Sequence, residues 1–375
     1  MHQGHPSHQP RRSARRHRGT LTSGDGANST RPAATETVAA CQATPSWGDY
    51  LGRHPGATLL HDPRWGEVMQ QAYGNRPYYL RAQRGGEVVG VLQLVLQKSL
   101  LFGTHLSSLP YLDAAGILAD DAAATCALIA EARRLMEEVG ATWVELRHAE
   151  AGTETLPSRT DKVTLRLPLP SDAQVLWKAF TPKVRNQVRK GERGGLSVEQ
   201  GGRELLEAFH AVYARTMRDL GSPPHSLRFF RLVAEHFGDA VRLFAVRQGE
   251  TPLAASFTLT DAQAMRVPWA ASDWRFRNLN ANMLLYWHML KSACESGSPC
   301  FDFGRSTRES GTYRFKGQWG ADEVPLHWQY LLPAGGSVPE MRPDNPKYRL
   351  LVGLWRRLPV SVARLVGPRL IAKLS

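Results

Sequence analysis

Long apolar runs and cysteine are both scarce in this sequence of 375 residues. No segment approaches the run of roughly 18 apolar residues that crosses a bilayer, so we expect no membrane-spanning helix. The four cysteines, Cys41, Cys126, Cys294 and Cys300, show neither metal-ligand spacing nor a disulfide framework. We therefore expect buried free thiols, no metal site and a reducing, cytoplasmic compartment. An apolar content of 42% with 22% charged residues is typical of a soluble globular protein.

Acidic residues are too few to balance the basic ones, and the basic excess lies at the two ends of the chain. The formal net charge is +13. Residues 1–40 hold six arginines against two acids, and residues 341–375 hold eight lysines or arginines against one acid, which leaves +2 for residues 41–340. A central region this close to neutral offers no obvious extended footprint for RNA.

Composition and periodicity divide the chain into four segments. Residues 1–44 have no apolar periodicity and no apolar core of a signal peptide, which predicts a disordered basic tail. Residues 45–170 and 171–335 are predicted to be two globular domains, in line with the prior for a chain of this length. Residues 336–375 are predicted to be a basic, amphipathic C-terminal tail.

The two predicted domains repeat the same order of elements, and we call them the first copy and the second copy. Each has a hairpin with a Gly-Glu turn, an aromatic strand, an amphipathic helix that stops at a glycine, and a short buried strand. The paired segments are residues 79–95 and 243–258, residues 109–111 and 267–269, helices ending at Gly140 and Gly297, and residues 142–146 and 299–303. The strand acids Glu145 and Asp302 each follow their glycine by five residues. Coincidence is the alternative, but tandem duplication of one α/β fold explains the shared order better.

A strongly basic helix is predicted between the two copies. Thr181 provides an N-cap and Pro182 a first-turn proline, with an end near residues 191–195. The helix carries five cations, including Lys183 and Arg185. Either these cations form a solvated helix face, or they contact an anion over the cleft between the copies.

Cations, glycines and aromatic residues are concentrated in residues 302–320 (DFGRSTRESGTYRFKGQWG), directly after the last buried strand of the second copy. Connecting loops rarely have this composition, which favours a site for an anionic or polar substrate. The first copy has nothing comparable at the corresponding place.

Hairpin, helix, strand and this basic loop together resemble the Fem-type transferases, two-domain proteins built from GNAT-like (N-acetyltransferase-like) domains. The resemblance covers roughly residues 45–340, and residues 302–320 are its most specific part. It is closest to the FemAB-related proteins of bacterial PEP-CTERM and exopolysaccharide systems. It implies an α/β (α+β) fold with tandem GNAT-like domains, each a mixed central sheet flanked by helices.

The resemblance implies transfer of an acyl or aminoacyl group to an amine, with acyl-CoA or aminoacyl-tRNA as the donor and no tightly bound cofactor. Such a transfer needs an aimed neutral amine, a cation or amide donor at the developing oxyanion, and a path for the proton. Lys316 is the cation carried over from the family motif, and Asp302 and Glu309 are the candidate bases. The candidate substrate-binding residues are Arg305, Tyr313, Arg314, Lys183, Arg185 and Trp319.

Structural roles are the alternatives for several of these residues. Asp302 could be a buried carboxylate that organises Arg305 or the loop, and Lys316 could be a solvated loop lysine. Tyr313 and Trp319 could be packing residues rather than ligands.

One departure from the GNAT pattern bears on the donor. Acyl-CoA enzymes of this type hold the pyrophosphate on a Gln/Arg-x-x-Gly-x-Gly/Ala loop at a helix N-terminus. Here residues 277–282 read RNLNAN, so Asn280 and Asn282 replace both glycines, which weakens the case for acyl-CoA. The long helical arm of some tRNA-using Fem proteins is also absent, and the sequence leaves the donor open.

Basic and apolar residues alternate in residues 347–375, in two segments that Pro359 and Pro368 are predicted to separate. This pattern is typical of an interfacial element near anionic lipid. Docking of the tail on the protein itself is the alternative.

Two functions are compatible with these features. The first is an N-acyl- or aminoacyltransferase of cell-envelope or exopolysaccharide assembly, located in the cytoplasm or at the inner face of the cytoplasmic membrane. Its partners would be an anionic, lipid-linked or nucleotide-linked precursor and, with the second donor, tRNA. The alternative is a Fem-like protein without turnover that binds an envelope glycan or nucleotide sugar. We expect a monomer, because a tandem duplication supplies its own domain interface.

Overall fold

Two sheets flanked by helices make up the computed structural model of the chain. It describes residues 37–41, 45–99, 103–149, 152, 156–339 and 346–374. Most of the predicted N-terminal tail, residues 1–36 and 42–44, lies outside the described residues. Thr37–Cys41 is a strand paired with the first hairpin, so regular structure begins inside the segment predicted to be disordered.

The strands and helices are numbered in chain order. The strands are β1 (Thr37–Cys41), β2 (Arg76–Arg84), β3 (Glu87–Ser99), β4 (Gly103–Ser107), β5 (Leu118–Ala119), β6 (Val144–His148), β7 (Ser158–Arg159), β8 (Lys162–Pro168), β9 (Ser197–Gly201), β10 (Val241–Gln248), β11 (Thr251–Thr260), β12 (Met265–Ser272), β13 (Cys300–Thr307), β14 (Asp322–Pro325) and β15 (His327–Leu331). The helices are α1 (Pro45–Arg53), α2 (Arg64–Tyr73), α3 (Ala122–Glu138), α4 (Ala173–Ala179), α5 (Pro182–Arg193), α6 (Leu206–Leu220), α7 (Leu227–Phe237), α8 (Ala281–Glu295), α9 (Gly311–Gly317), α10 (Pro346–Arg357) and α11 (Val360–Leu374). Short 3₁₀ turns are Leu59–His61, Arg203–Leu205, Gly238–Ala240 and Trp274–Leu279.

Both sheets are mixed, which confirms the predicted fold class. The first sheet has the order β1-β2-β3-β4-β6-β15-β7 with β5 beside β3, and the second has the order β14-β8-β13-β12-β11-β10-β9. The pairs β4–β6 and β12–β13 are parallel, and α3 and α8 provide the crossovers that parallel pairing requires.

The two sheets exchange strands. β8 precedes the second copy in the chain but pairs with β13 and β14 in the second sheet. β15 lies near the end of the second copy but pairs with β6 and β7 in the first sheet. A boundary between residues 170 and 171 therefore does not separate the two sheets, because β8 lies on the wrong side of it.

The register of the two parallel pairs shows the predicted repeat. Glu145 on β6 lies opposite Ser107 on β4, and Asp302 on β13 lies opposite Arg266 on β12. The two acids that follow their glycines at the same spacing thus occupy the same place in the two sheets.

The ends of α3 and α8 also agree with the prediction, but one strand does not. Gly140 and Gly297 follow these helices with φ of 64° and 74°, the left-handed conformation that glycine adopts readily. Residues 109–111 were predicted to be a strand and form a turn instead. Tyr111 has a φ of 69° there, so the chain leaves the first sheet soon after β4.

Helices cover the second sheet in two separate layers. α6 and α7 meet α2 of the first copy in a core that includes Trp65, Phe209, Phe229 and Phe230. A second core, which includes Phe301, joins the sheet to α4, α5 and α8. The first of these cores therefore joins the two copies on the side of α6 and α7.

The basic helix forms as predicted but contributes no residue to the cavity described below. The Thr181 hydroxyl accepts a hydrogen bond from the Val184 N–H, and Pro182 occupies the first turn of α5. The apolar stripe of α5 includes the buried Val184 and Val188 and continues to Gly191, which packs against α8. Burial of that stripe fixes α5 in the layer of α8, away from the core shared by the two copies.

The C-terminal tail consists of two helices docked on the protein, which is the second of its two predicted arrangements. The break falls at Pro359, as predicted, but Pro368 lies inside α11 and does not end it. Ala363 is fully buried, and Gly367 packs against Pro224 in the loop after α6. No helix of the described residues is long and apolar enough to cross a bilayer.

The four cysteines are free thiols in the structure. Cys294 is buried, Cys41 and Cys300 are half-buried, and Cys126 is exposed. The prediction of buried thiols therefore holds fully for Cys294 alone.

Candidate active site

The site predicted from residues 302–320 lies where β13 parts from β12. The two strands pair over only two residues each, and β13 then bulges between Asp302 and Arg305 before its pairing with β8 resumes. Gly304 forms this bulge with a φ of 73°, and a Cβ atom there would lie 2.6 Å from the Val267 carbonyl oxygen. No side chain fits at this distance, so the bulge requires glycine at position 304.

Asp302 is the buried carboxylate of the bulge. Its Oδ1 accepts hydrogen bonds from the Thr164 hydroxyl and from the Gly304 N–H (2.9 Å). Its Oδ2 accepts one from Arg166 Nε on β8 (3.2 Å). These contacts give Asp302 the organising role considered from the sequence, with Arg166 as its cation in place of Arg305.

Lys316 reaches the same bulge from α9. The Ser310 hydroxyl caps this short helix, which turns the lysine inward so that only 8% of the residue is exposed. Its Nζ donates hydrogen bonds to the carbonyl oxygens of Gly304 (2.7 Å) and Arg305 (2.9 Å). Lys316 is therefore a buried, oriented cation and not a solvated loop lysine.

The environment of Lys316 brings its titration close to the physiological range. Burial lowers the pKa of Lys316 to about 8, the carboxylates of Asp113 and Asp302 oppose that shift, and the Arg305 guanidinium adds to it. Two of the three N–H groups of the ammonium are held by backbone carbonyls. The third has no hydrogen-bond partner among the described residues.

The lowered pKa of Lys316 predicts a pH-dependent contribution to stability. Between pH 8 and the ordinary lysine value of 10.5, the unfolded chain holds a proton that the folded chain has lost. The free energy of unfolding of the wild type should therefore rise with pH relative to a Lys316→Met variant, by at most about 1.4 kcal/mol per pH unit. Urea denaturation of both proteins from neutral pH to about pH 10 measures this difference. A difference that stays constant with pH would show that Lys316 titrates as an ordinary lysine.

The first copy contributes a carboxylate to the site, and β15 contributes an aromatic ring. Asp113 Oδ2 accepts a hydrogen bond from the Arg305 backbone N–H (3.1 Å), and Asp113 Oδ1 lies 3.4 Å from Arg305 Nε. The guanidinium groups of Arg305 and Arg147 both lie over the Trp328 ring, 5.0 and 4.3 Å from its centroid. Trp328 Nε1 donates to the Asp113 carbonyl oxygen (3.1 Å). Arg305 is thus held where the two copies meet, with 36% of its side chain exposed.

A cavity of about 540 Å³ opens beside the bulge and is lined by both copies. The polar and charged residues of its wall are His54, Thr58, His61, Asp113, Thr125, His148, Thr164, Arg166, Gln263, Arg266 and Asp302. Burial lowers the pKa of His61 to about 3 and that of His148 to about 4, so both imidazoles are neutral at physiological pH. His148 Nε2 is buried and has no hydrogen-bond partner among the described residues. The cavity can therefore offer guanidinium groups and carboxylates to a polar ligand.

Several predicted site residues do not line this cavity, and Lys316 and Arg305 are among them, since they lie at the bulge beside it. Glu309 is exposed in the turn between β13 and α9, with a φ of 61°. On α9 itself, Arg314 is exposed and Tyr313 is half-buried. Trp319 is buried in the core of the second sheet, with its ring 5.2 Å from that of Phe180, so it has the packing role considered for it.

The two predicted contacts on α5 also lie away from the cavity. Lys183 is exposed, and Arg185 Nη1 donates to the Lys178 carbonyl oxygen (3.0 Å). Neither residue lines the cavity. Among the described residues, no cluster of three or more His, Cys, Asp or Glu could hold a metal ion.

Sequence reasoning missed Asp113, Arg166 and His148. Arg166 had a signal, because residues 162–168 alternate between polar and apolar side chains as a strand with one polar face does. Asp113 and His148 had none. They belong to the first copy and reach the site only through the packing of the two copies against each other.

The turn before α8 keeps the backbone shape that its missing glycine would have adopted. Asn280 precedes the first residue of α8 with a φ of 56°, and asparagine is among the residues that best tolerate this left-handed conformation. The N–H groups of the first turn of α8 therefore still point out of the helix end. Asn280 thus keeps a left-handed turn at this point, but its side chain, like that of Asn282, still stands where the pattern has a glycine.

Residues 179–317, which include the bulge and Lys316, match the family model of an acetyltransferase (GNAT) domain. The chain contains a GNAT-like domain. The match begins after β8, although β8 is part of the sheet of the GNAT-like domain. A search of proteins with curated functions gave no match to this sequence.

Solved structures share the fold of the GNAT-like domain and of the first copy. FemX is 16% identical with a TM-score of 0.58, over 84% of this chain and 100% of that one. A tandem GNAT protein from the clavulanic acid biosynthesis pathway is 12% identical with a TM-score of 0.52, over 81% of this chain and 100% of that one. L-PGS from Bacillus licheniformis is 12% identical with a TM-score of 0.51, over 88% of this chain and 98% of that one. At these identities the likeness shows the fold alone.

Proposed function

We propose that this chain transfers an acyl group to an amine at the β13 bulge, where the cavity meets Asp302 and Gly304. One observation carries the proposal: the buried ammonium of Lys316 is fixed by the Gly304 and Arg305 carbonyls and keeps one N–H to donate. This arrangement lies inside the segment that matches an acetyltransferase domain. Hydrogen-bond donors that are fixed in place, in a site that excludes water, usually contribute most to stabilising the oxyanion of acyl transfer.

Lys316 and Asp302 have separate roles in the proposed reaction. The amine nitrogen attacks the carbonyl carbon of the donor, and the developing oxyanion accepts the remaining N–H of Lys316. The bond from that carbon to the sulfur or oxygen of the donor then breaks, and the donor leaves as a thiolate or alkoxide. Asp302 lines the cavity and has acceptor capacity left on Oδ2, so we assign to it the proton that the amine loses.

We propose acyl-CoA as the first donor to test. The match to a GNAT domain favours a thioester, and the left-handed Asn280 preserves the turn at the start of α8 where a pyrophosphate would bind. Aminoacyl-tRNA is the second donor, suggested by the resemblance to Fem-type transferases.

The acceptor that we propose is an anionic precursor of the cell envelope or of an exopolysaccharide, linked to a nucleotide or a lipid. Arg166 and Arg266 on the cavity wall would face its charged groups, and Asp113 with Asp302 would face its amine. The resemblance to FemAB-related proteins of PEP-CTERM systems supports this class, and a nucleotide-linked precursor would place the reaction in the cytoplasm.

The test is a transfer assay with labelled donors. The purified chain is incubated with acetyl-CoA or with aminoacyl-tRNA, together with an amino-sugar nucleotide as acceptor, and the products are separated by mass. We expect a new amide with acetyl-CoA. Tight binding of the nucleotide sugar without transfer from either donor would contradict the proposal and favour the binding protein considered from the sequence.

A further inference from the structure

α10 is anchored to the end of α6. Trp355 Nε1 donates to the Ser222 carbonyl oxygen (3.1 Å), and Arg218 Nη1 donates to the Leu358 carbonyl oxygen (2.8 Å). Val352 packs on Gly221, where a Cβ atom would lie 2.4 Å from Val352 Cγ1. These contacts hold α10 against the end of α6 and set which side of α10 faces outward.

The outward side of α10 is apolar. Leu350, Leu351 and Leu354 are each more than half exposed, and their spacing puts them on one face of the helix. Isolated exposed leucines are common, but three on one helical face of a docked helix form a continuous apolar surface.

Two further exposed apolar residues lie at the end of α6 that holds α10. Leu220 ends α6, and its carbonyl oxygen accepts a hydrogen bond from Arg356 Nη2 (3.3 Å). Trp274 Nε1 donates to Asp219 Oδ2 (3.1 Å), which places the indole beside the same helix end. Leu220 and Trp274 are both more than half exposed. We call the set of Leu220, Trp274, Leu350, Leu351 and Leu354 the C-terminal patch.

Cations border the C-terminal patch. Residues 346–374 contain seven lysines or arginines and no acidic residue. Arg356 and Arg357 follow the leucines on α10 and are both exposed. An apolar face with Trp and Leu, bordered by arginines, is the composition of helices that lie in the headgroup region of anionic bilayers.

We propose that the C-terminal patch binds the surface of an anionic membrane, with α10 lying in the plane of the interface. Charge complementarity selects this occupant, because a partner must match both the leucines and the excess of positive charge. α10 is too short and too charged to span the bilayer, so the contact is peripheral. This inference does not depend on the proposed acyl transfer, and its test needs no substrate.

Co-sedimentation with vesicles tests the proposal on the full-length chain. We expect binding to vesicles of phosphatidylcholine with phosphatidylglycerol and little binding to phosphatidylcholine alone. The triple variant Leu350→Gln/Leu351→Gln/Leu354→Gln should bind at least about tenfold more weakly, because each buried leucine contributes on the order of 1.5 kcal/mol or more. Arg357→Gln should weaken binding about fivefold, equivalent to about 1 kcal/mol for one cation near the surface.

Val175→Gln is the matched control, since Val175 is also more than half exposed but lies on α4. α4 begins beside Cys294, at the opposite end of α8 from Trp274. Val175→Gln should bind as the wild type does. Equal binding of the triple variant and the wild type, or equal binding to both vesicle types, would overturn the proposal. Loss of a dimer in the triple variant, seen by size-exclusion chromatography, would assign the face to a second copy of the chain instead.

Discussion

Replacing Lys316 with methionine is expected to lower the rate of acyl transfer about 10²- to 10³-fold, the usual loss when one oxyanion donor is removed. Methionine keeps the length of the side chain and removes the N–H groups that face the bulge. The effect should fall on kcat more than on KM, because the oxyanion exists only in the transition state. Steady-state rates, measured with the donor that supports transfer in the assay proposed above, test this.

Two controls distinguish the loss of an oxyanion donor from misfolding and from a role of Lys316 as a base. Lys98→Met removes an exposed lysine of β3 in the first sheet and should leave the rate unchanged. At saturating substrates, kcat of the wild type should fall as the pH rises through about 8, where the ammonium of Lys316 is lost. A kcat that rises through this range would instead make Lys316 a base, and an unchanged rate in Lys316→Met would remove it from the mechanism.

Asp302→Asn is expected to lower both the stability and the rate of transfer. Asparagine can accept from Thr164 and Gly304, but its NH₂ group would meet the Arg166 Nε–H donor, and the cation loses its counter-charge. We expect a loss of about 2–4 kcal/mol in the free energy of unfolding. Loss of the proton acceptor should lower kcat about 10²-fold or more. Urea denaturation and steady-state kinetics measure the two effects.

A second substitution distinguishes the charge of Asp302 from its hydrogen bonds. The double variant Asp302→Asn/Arg166→Met should be no less stable than Asp302→Asn, because it removes the cation that the first change leaves unopposed. Asp239→Asn, at an exposed position after α7, should cost less than about 0.5 kcal/mol. Wild-type kinetics in a stable Asp302→Asn protein would restrict Asp302 to a structural role and refute its assignment as the base.

The repeat and the fold class could be predicted from the sequence because they depend on local patterns. Hairpin turns, helix periods and terminal glycines recur in both copies, and the spacing from Gly140 to Glu145 and from Gly297 to Asp302 matches the register of the two parallel pairs. The turn at Tyr111 was not predictable, because an aromatic residue in a left-handed conformation contradicts its own local preference.

The candidate site was predictable only in part, because some of its residues come from distant parts of the chain. Lys316 and Asp302 lie in one continuous segment whose composition is visible in the sequence. Asp113 and Trp328 come from elsewhere in the chain, and only the packing of the copies and the pairing of β15 bring them to Arg305. Arg166 was visible as part of an alternating strand, but its chain position indicated the wrong sheet.

The exchange of β8 and β15 also governs how the chain can fold. β6 is paired on one side by β4, and its other edge stays open until residues 327–331 have been synthesised. An open edge of this kind is a place where nascent chains aggregate, so the pairing of β15 with β6 protects the first sheet. Because each sheet holds a strand from beyond its own copy, neither copy is a self-sufficient folding unit. We therefore expect the two copies to fold together, with the candidate site forming only after residues distant in the chain have come together.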